Sequence, residues 1–137
     1  GASNSYIGAN YNNTGNIGTI SNWLLTPETT IRNGDTLLFY TRVPTNSQFP
    51  DRLEVRLSSS GAITDVGLNA TSVGVFNTLL TSINPNLVVG GYPDQWSPIS
   101  VTVSGLAGPV QGRFGLRYYV DDAGASGANS NYIGIDR

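Results

Sequence analysis

The chain has 137 residues, a net charge of −2 and no His, Cys, Met or Lys, and all seven of its basic residues are arginines. Without imidazole, thiol or amine side chains it has little equipment for catalysis and no ligands for soft metals, and nine carboxylates alone predict no enzyme. The charge offers no field that attracts nucleic acid, and the length predicts one domain spanning residues 1–137.

Apolar and polar residues alternate along most of the chain, as they do in half-buried antiparallel strands. The clearest run places Leu53, Val55 and Leu57 on one face, with charged residues between them. Gly, Pro and Asn separate the runs and predict turns. In chain order, the pattern predicts about eight strands, at residues 5–11, 19–25, 36–43, 52–58, 73–83, 99–104, 113–120 and 131–136.

The segment 73–83 also permits a helix, because Val75, Leu79 and Ile83 suit helical spacing. We favour a strand there, since no other segment has a convincing helical pattern. The predicted fold is therefore all-β, an antiparallel two-sheet β-sandwich of jelly-roll type. No apolar stretch is long enough to predict insertion into a membrane, and the N-terminus lacks the pattern of a signal peptide.

One short pattern occurs at both ends of the chain. Residues 4–10 (NSYIGAN) and 130–136 (SNYIGID) each contain Tyr-Ile-Gly and close on Asn or Asp. A true repeat recurs at a fixed period, and this pattern does not. We interpret the echo as two neighbouring strands with the same packing.

The stretch 121–131 concentrates carboxylate and amide oxygens, which are the ligands that calcium prefers. Asp121, Asp122 and Asn129 are the candidate ligands within it, and Asn10 and Asp136 join them if the echoed strands are neighbours. The spacing does not match an EF-hand. The alternative is a polar crossover loop in which Asp and Asn form turns.

The aromatic loop at residues 90–96 is a candidate ligand site. Tyr92, Asp94 and Trp96 combine rings that stack on a sugar with groups that hydrogen-bond its hydroxyls. Core packing is the competing role for both tryptophans, Trp23 and Trp96, which we place in the sandwich. Tyr92 is then the exposed ring.

The arginines have two alternative roles. Arg52, Glu54 and Arg56 share one strand face and predict a solvated ladder of ion pairs. Arg113 and Arg117, with Tyr119, form instead a possible interaction surface, because Arg and Tyr are enriched at binding hot spots.

Four ordered blocks along the chain carry a family resemblance. They lie at residues 21–27 (SNWLLTP), 33–39 (NGDTLLF), 49–58 (FPDRLEVRLS) and 129–136 (NSNYIGID). Together they resemble the choice-of-anchor J domain, which is similar to the cleaved-adhesin domains of bacterial surface proteins. The resemblance implies an exported bacterial β-sandwich with no established catalytic activity, located extracellularly or at the cell surface.

The chain departs from that family at both ends. It lacks the additional N-terminal strand upstream of Gly1 and the anchor that follows the domain. A missing edge strand exposes backbone groups and core. Either the domain closes without that strand, or a strand donated by a neighbouring copy fills the place and builds a filament.

Three functions follow as hypotheses. The first is a non-enzymatic adhesion or structural module, self-associating into a fibre through its edge strands. The second is a calcium-assisted carbohydrate-binding module that recognises a polysaccharide. The third, a carboxylate-dependent hydrolase, would need two carboxylates facing each other across a sugar.

Overall fold

The computed structural model describes residues 5–137, which form nine strands in two antiparallel sheets without an α-helix. This confirms the predicted β-sandwich. The strands are β1 (Ile7–Asn10), β2 (Gly18–Leu25), β3 (Thr29–Ile31), β4 (Thr36–Arg42), β5 (Leu53–Ser58), β6 (Thr78–Ile83), β7 (Ser97–Thr102), β8 (Val110–Ala123) and β9 (Tyr132–Asp136). None of the described residues belongs to a helix long and apolar enough to cross a bilayer.

The first sheet has four strands in the order β1-β9-β4-β7. The echoed segments form β1 and β9, which pair antiparallel with Ile7 opposite Ile135 and Gly8 opposite Gly134. The interpretation of the echo as neighbouring strands is therefore confirmed. The predicted first strand is shorter than expected, because a 3-10 turn at Tyr11–Asn13 follows β1 and is capped by the Asn10 side chain.

The second sheet has the order β2-β8-β5-β6, and β3 also pairs with β8. β8 is 14 residues long, so one of its edges accommodates β3 along Val110–Gly112 and β2 beyond it. The sequence did not predict β3, because three residues are too short to show alternation.

The segment 73–83 is neither a long strand nor a helix. Only its second half is extended, as β6. The first half belongs to a loop at residues 59–77, which we call the cover loop. It lies over the outer face of the second sheet, where the Arg117 guanidinium donates to Ala70 O and the Arg56 guanidinium donates to Phe76 O.

The hydrophobic core lies between the sheets and takes side chains from both. Alternate positions of each strand face inwards, as the sequence pattern predicts. Its main buried members are Ile20, Phe39, Leu53, Val55, Tyr92, Val101, Leu116, Tyr118, Val120 and Ile133. A smaller cluster of Ile31, Leu57, Val103 and Phe114 closes one end.

Candidate functional site

Three aromatic rings lie together on the outer face of the first sheet. The centroid of the Tyr6 ring is 5.4 Å from that of Trp96 and 6.2 Å from that of Tyr132, both edge to face. Arg42 and Pro44 complete a shallow recess of about 220 Å³ beside them. We call these five residues the aromatic face.

Two glycines position the rings of the aromatic face. A Cβ atom at Gly8 would lie 2.8 Å from Tyr132 Oη, and one at Gly134 would lie 2.8 Å from Trp96 Cη2. Real Cβ contacts are longer, so a side chain at either position would displace a ring. The glycines of the two Tyr-Ile-Gly segments therefore leave the space in which the aromatic side chains pack on the sheet.

The hydroxyl group of Tyr132 stays neutral at physiological pH. Burial raises the pKa of Tyr132 to about 12, and the hydrogen bond and charge of Tyr6 add to that rise while Arg42 opposes it. A neutral phenol both donates and accepts hydrogen bonds. The aromatic face thus combines ring surface with hydroxyl and guanidinium groups.

The three residues predicted to bind a ligand do not form one site. Tyr92 is only 5% exposed, and its Oη lies 2.7 Å from Thr41 Oγ1 in the core. Burial raises the pKa of Tyr92 well above its usual value. Asp94 and part of Tyr92 line one recess, whereas Trp96 belongs to the aromatic face.

The predicted placement of the aromatic residues is wrong. Trp96 is 39% exposed, whereas Tyr92 is buried, because Val43 N–H donates to Pro93 O and draws this segment alongside β4. Trp23 lies outside the core as well. It alternates with the inward-facing Leu24 and packs on Phe76 of the cover loop, with the ring centroids 5.4 Å apart.

Asp51 is a buried carboxylate that sequence reasoning did not single out. It is 1% exposed and lies at the base of the recess that Asp94 lines, which has a volume of about 480 Å³. Its Oδ1 accepts hydrogen bonds from Tyr118 Oη at 2.6 Å and Asn131 N at 3.0 Å. Its Oδ2 has no hydrogen-bond partner among the described residues. In the sequence, the only indication of Asp51 is its position just before β5. Turn-forming residues of any kind occur at such positions, so the position does not predict a buried carboxylate.

Burial raises the pKa of Asp51, although the hydrogen bonds from Tyr118 and the backbone oppose the rise. The folded state therefore retains a proton that the unfolded state loses above its pKa of about 3.8. Protonated Asp51 therefore contributes its full stabilisation below that pH, and the contribution is lost as pH rises through the folded-state pKa of Asp51.

We expect the free energy of unfolding of Asp51→Asn to increase relative to that of the wild type as pH rises above 4. The gain should approach about 1.4 kcal/mol per pH unit until the folded pKa is passed. The Asn side-chain oxygen still accepts from Tyr118 and Asn131, so the core network is kept. Urea unfolding between pH 4 and pH 8 measures the difference, and a difference independent of pH would contradict the assignment.

The five predicted calcium ligands are not brought together. Asp121 Oδ2 is paired with the Arg52 guanidinium at 2.8 Å, and Asn129 Nδ2 donates to Asp121 O. Asn10 lies opposite Tyr132, at the other end of the β1–β9 pair from Asp136. Four residues of strand separate those two positions by about 13 Å.

The remaining candidate, Asp122, is exposed near the end of β8, where the β2–β8 pairing is irregular, and it has a φ of 50°. Asp136 accepts a hydrogen bond from Arg137 N. Within residues 5–137, no cluster of three or more acidic side chains forms a metal site. The five residues therefore do not fit a single calcium site, although calcium binding itself stays a prediction.

The arginines on the outer face of the second sheet are covered rather than solvated. Arg117 is 1% exposed, donates to Glu54 Oε2 at 3.2 Å and stacks on the Tyr119 ring at 3.7 Å. Arg56 donates to the same Glu54 oxygen at 2.7 Å. Both the solvated ladder at Glu54 and the interaction surface at Arg117 are therefore wrong, because the cover loop buries this face.

Solved structures resemble the sandwich as a whole. It superposes on the K1 cleaved adhesin domain of Lys-gingipain from Porphyromonas gingivalis W83 with a TM-score of 0.56 and 19% identity. The K3 domain of the same protein gives 0.57 and 19%. Each match covers 96% of this chain and 70% of the other. The fold is similar to that of a cleaved adhesin domain.

At 19% identity the likeness to cleaved adhesin domains concerns the fold. No protein-family model matches the chain, and no curated protein matches it. The choice-of-anchor J resemblance therefore remains a sequence-based interpretation.

In the part of the chain that the structure describes, this cleaved-adhesin-like sandwich is open along one side, where β1 and β2 are the edge strands of the two sheets. Two grooves, of about 430 and 210 Å³, run between them. Ile7, Leu24, Leu116 and Ile135 line both grooves. Apolar side chains that belong to the core are therefore accessible from this side, which we call the open side.

Proposed function

We propose that this domain is a non-catalytic, extracellular adhesion module of a bacterial surface, and that its aromatic face binds carbohydrate. The observation that carries the proposal is the cluster of Tyr6, Trp96 and Tyr132 on the sheet, in which Tyr6 is 51% and Trp96 39% exposed. The cleaved adhesin fold supports the surface location and the adhesive role.

The chemistry of the aromatic face suits a sugar. Ring faces pack against the apolar C–H surface of a pyranose, and Tyr and Trp provide this contact at a low cost in conformational entropy. The Arg42 guanidinium is held at the rim by bonds to Val43 O and Thr45 Oγ1, so its direction is set before a ligand arrives. Tyrosine hydroxyls beside it complement the sugar hydroxyls.

The same residues support binding without hydrolysis. The described residues that line the aromatic face include no carboxylate, whereas glycosidases of the usual kind place two carboxylates around the scissile bond. A sugar held here would meet rings, one guanidinium and hydroxyls only.

Affinity electrophoresis in gels containing soluble polysaccharides, together with a glycan array, tests the proposal. We expect retardation by at least one glycan, and a loss of affinity of about 5-fold or more in Trp96→Ala, since one stacking contact contributes about 1–3 kcal/mol. Phe49→Ala is the matched control, because Phe49 is also exposed, at 48% against 39% for Trp96, but lies outside the aromatic face. Binding of no glycan, or equal loss in both variants, would contradict the proposal.

Assembly is a second candidate role, and the open side favours it. An edge strand with apolar grooves beneath it is the usual acceptor for a strand from another chain. Extension into a fibre requires a second, different contact on each copy, because only a non-closing contact propagates. Negative-stain microscopy of concentrated protein tests for fibres.

Calcium assistance is the remaining element of the carbohydrate-binding proposal. It rests on the carboxylate and amide oxygens of the 121–131 stretch, where a calcium ion would have to displace Arg52 from Asp121. A melting temperature that rises with Ca²⁺ and returns with EDTA would support it, and an unchanged melting temperature would remove calcium from the proposal.

A further inference from the structure

We propose that the outer edge of β1 pairs antiparallel with β1 of a second copy of this chain, with Gly8 opposite Gly8 on a two-fold axis. This inference specifies the partner and register for the assembly role proposed above. It does not depend on carbohydrate binding.

The hydrogen-bonding pattern shows which groups of β1 face outwards. Tyr11 N–H donates to Asn131 O at 3.1 Å, which makes Tyr11 and Asn131 a hydrogen-bonded pair. Such pairs alternate with non-hydrogen-bonded pairs along an antiparallel ladder. Ala9 and Ile7 therefore bond β9, and the N–H and C=O of Gly8 point away from β9 to the free edge.

The register follows from the echo. β1 pairs with β9 so that Ile7 faces Ile135, Gly8 faces Gly134 and Ala9 faces Ile133. The segment 6–10 matches 132–136 at Tyr-Ile-Gly, so a second β1 can present to the free edge of β1 the same order of facing residues that β9 presents to the other edge. That places Ile7 opposite the second copy's Ala9 and Gly8 opposite its Gly8. At the free edge Gly8, rather than Ile7 and Ala9, supplies the hydrogen-bonding groups.

This register has two-fold symmetry, because every residue pairing stays the same when the two copies are exchanged. Gly8 lies at the centre, and its outward N–H and C=O bond the equivalent groups of the second copy. Glycine at the axis also leaves space for the Tyr132 ring, which already lies across Gly8.

The pairing also covers part of the open side. Ile7 is 54% exposed and borders both grooves. Ile7 and Ala9 of the second copy lie on the same face of the joined sheet and would extend over Leu24, Leu37 and Leu116. Apolar burial thus adds to the backbone bonds.

A two-fold contact closes on itself, so the expected product is a dimer with one continuous eight-stranded sheet. Its outer surface carries two aromatic faces side by side. Two sites on one rigid body bind a repeating polymer more tightly than either site alone.

Multi-angle light scattering over a concentration series tests the dimer. We expect the wild-type mass to rise from 14.5 kDa to twice that value. Ile7→Lys should remain a monomer, because an inward-facing lysine blocks pairing at an edge strand. Leu79→Lys is the matched control, because Leu79 is 49% exposed and lies on β6, at the edge of the second sheet away from β2 and the open side. This variant should dimerise as the wild type does.

Single cysteines test the register, because the chain has none of its own. Ile7 and the second copy's Ala9 would form a non-hydrogen-bonded pair with Cα atoms about 4.5 Å apart, which a disulfide can bridge. Under mild oxidation, a mixture of Ile7→Cys and Ala9→Cys chains should cross-link to a greater extent than either variant alone. A wild-type monomer at every concentration, equal dimerisation by Ile7→Lys, or no preference for the mixture would overturn the proposal.

Discussion

Glu54→Gln should lower the free energy of unfolding by about 3–5 kcal/mol, the cost of removing one partner from a buried ion pair. Glu54 Oε2 accepts from both Arg56 and Arg117, and the Arg117 side chain is almost fully buried beneath the cover loop. Burial lowers the pKa of Arg117, and Glu54 is the charge that opposes this effect. Without that carboxylate, the guanidinium is held out of water with no negative partner.

Asp121→Asn is the matched control for Glu54→Gln. It removes the carboxylate of another Arg–carboxylate pair, Arg52–Asp121 at 2.8 Å, but the Asp121 side chain is 49% exposed. Exposed pairs contribute about 0–1 kcal/mol, so this variant should unfold close to the wild type. Urea denaturation of the two variants compares them directly, and similar losses in both would show that burial of Glu54 is not the cause.

Gly112→Ala should destabilise the sandwich by about 3 kcal/mol, at the upper end of the range for overpacking. Gly112 lies in β8 opposite Thr29 of β3, and a Cβ atom there would overlap the carbonyl oxygen of Ser58. Ser58 belongs to β5, so backbone rather than a flexible side chain must move. The small cluster around Leu57 and Phe114 would be disturbed with it.

Gly108→Ala is the control for Gly112→Ala, because no atom lies within 4 Å of its added Cβ and its φ is not positive. It should leave the melting temperature within about 2 °C of the wild type or raise it slightly, since alanine reduces the entropy of the unfolded chain. A Gly112→Ala protein as stable as Gly108→Ala would contradict this prediction, because it would mean that the backbone of β3 and β5 shifts at little cost in stability.

The candidate site was partly accessible from the sequence. Trp96 was selected as a ligand residue and lies on the aromatic face, but Tyr6, Tyr132 and Arg42 were missed. The echo was the available signal, because two Tyr-Ile-Gly strands paired in one sheet place both tyrosines on the same side. Asp51 had no such signal, since its burial depends on Tyr118 and Asn131 from distant parts of the chain.

The sequence by itself determined the all-β class, most of the strands and the shortage of catalytic groups. These features depend on residue type and on a period of two, and both are local. Tertiary structure alone decided which aromatic rings are exposed, that the cover loop buries Arg117, and that Asn10 and Asp136 lie apart. Those outcomes depend on which loop covers which sheet and on the direction of strand pairing, and both are set by contacts between residues far apart in the chain.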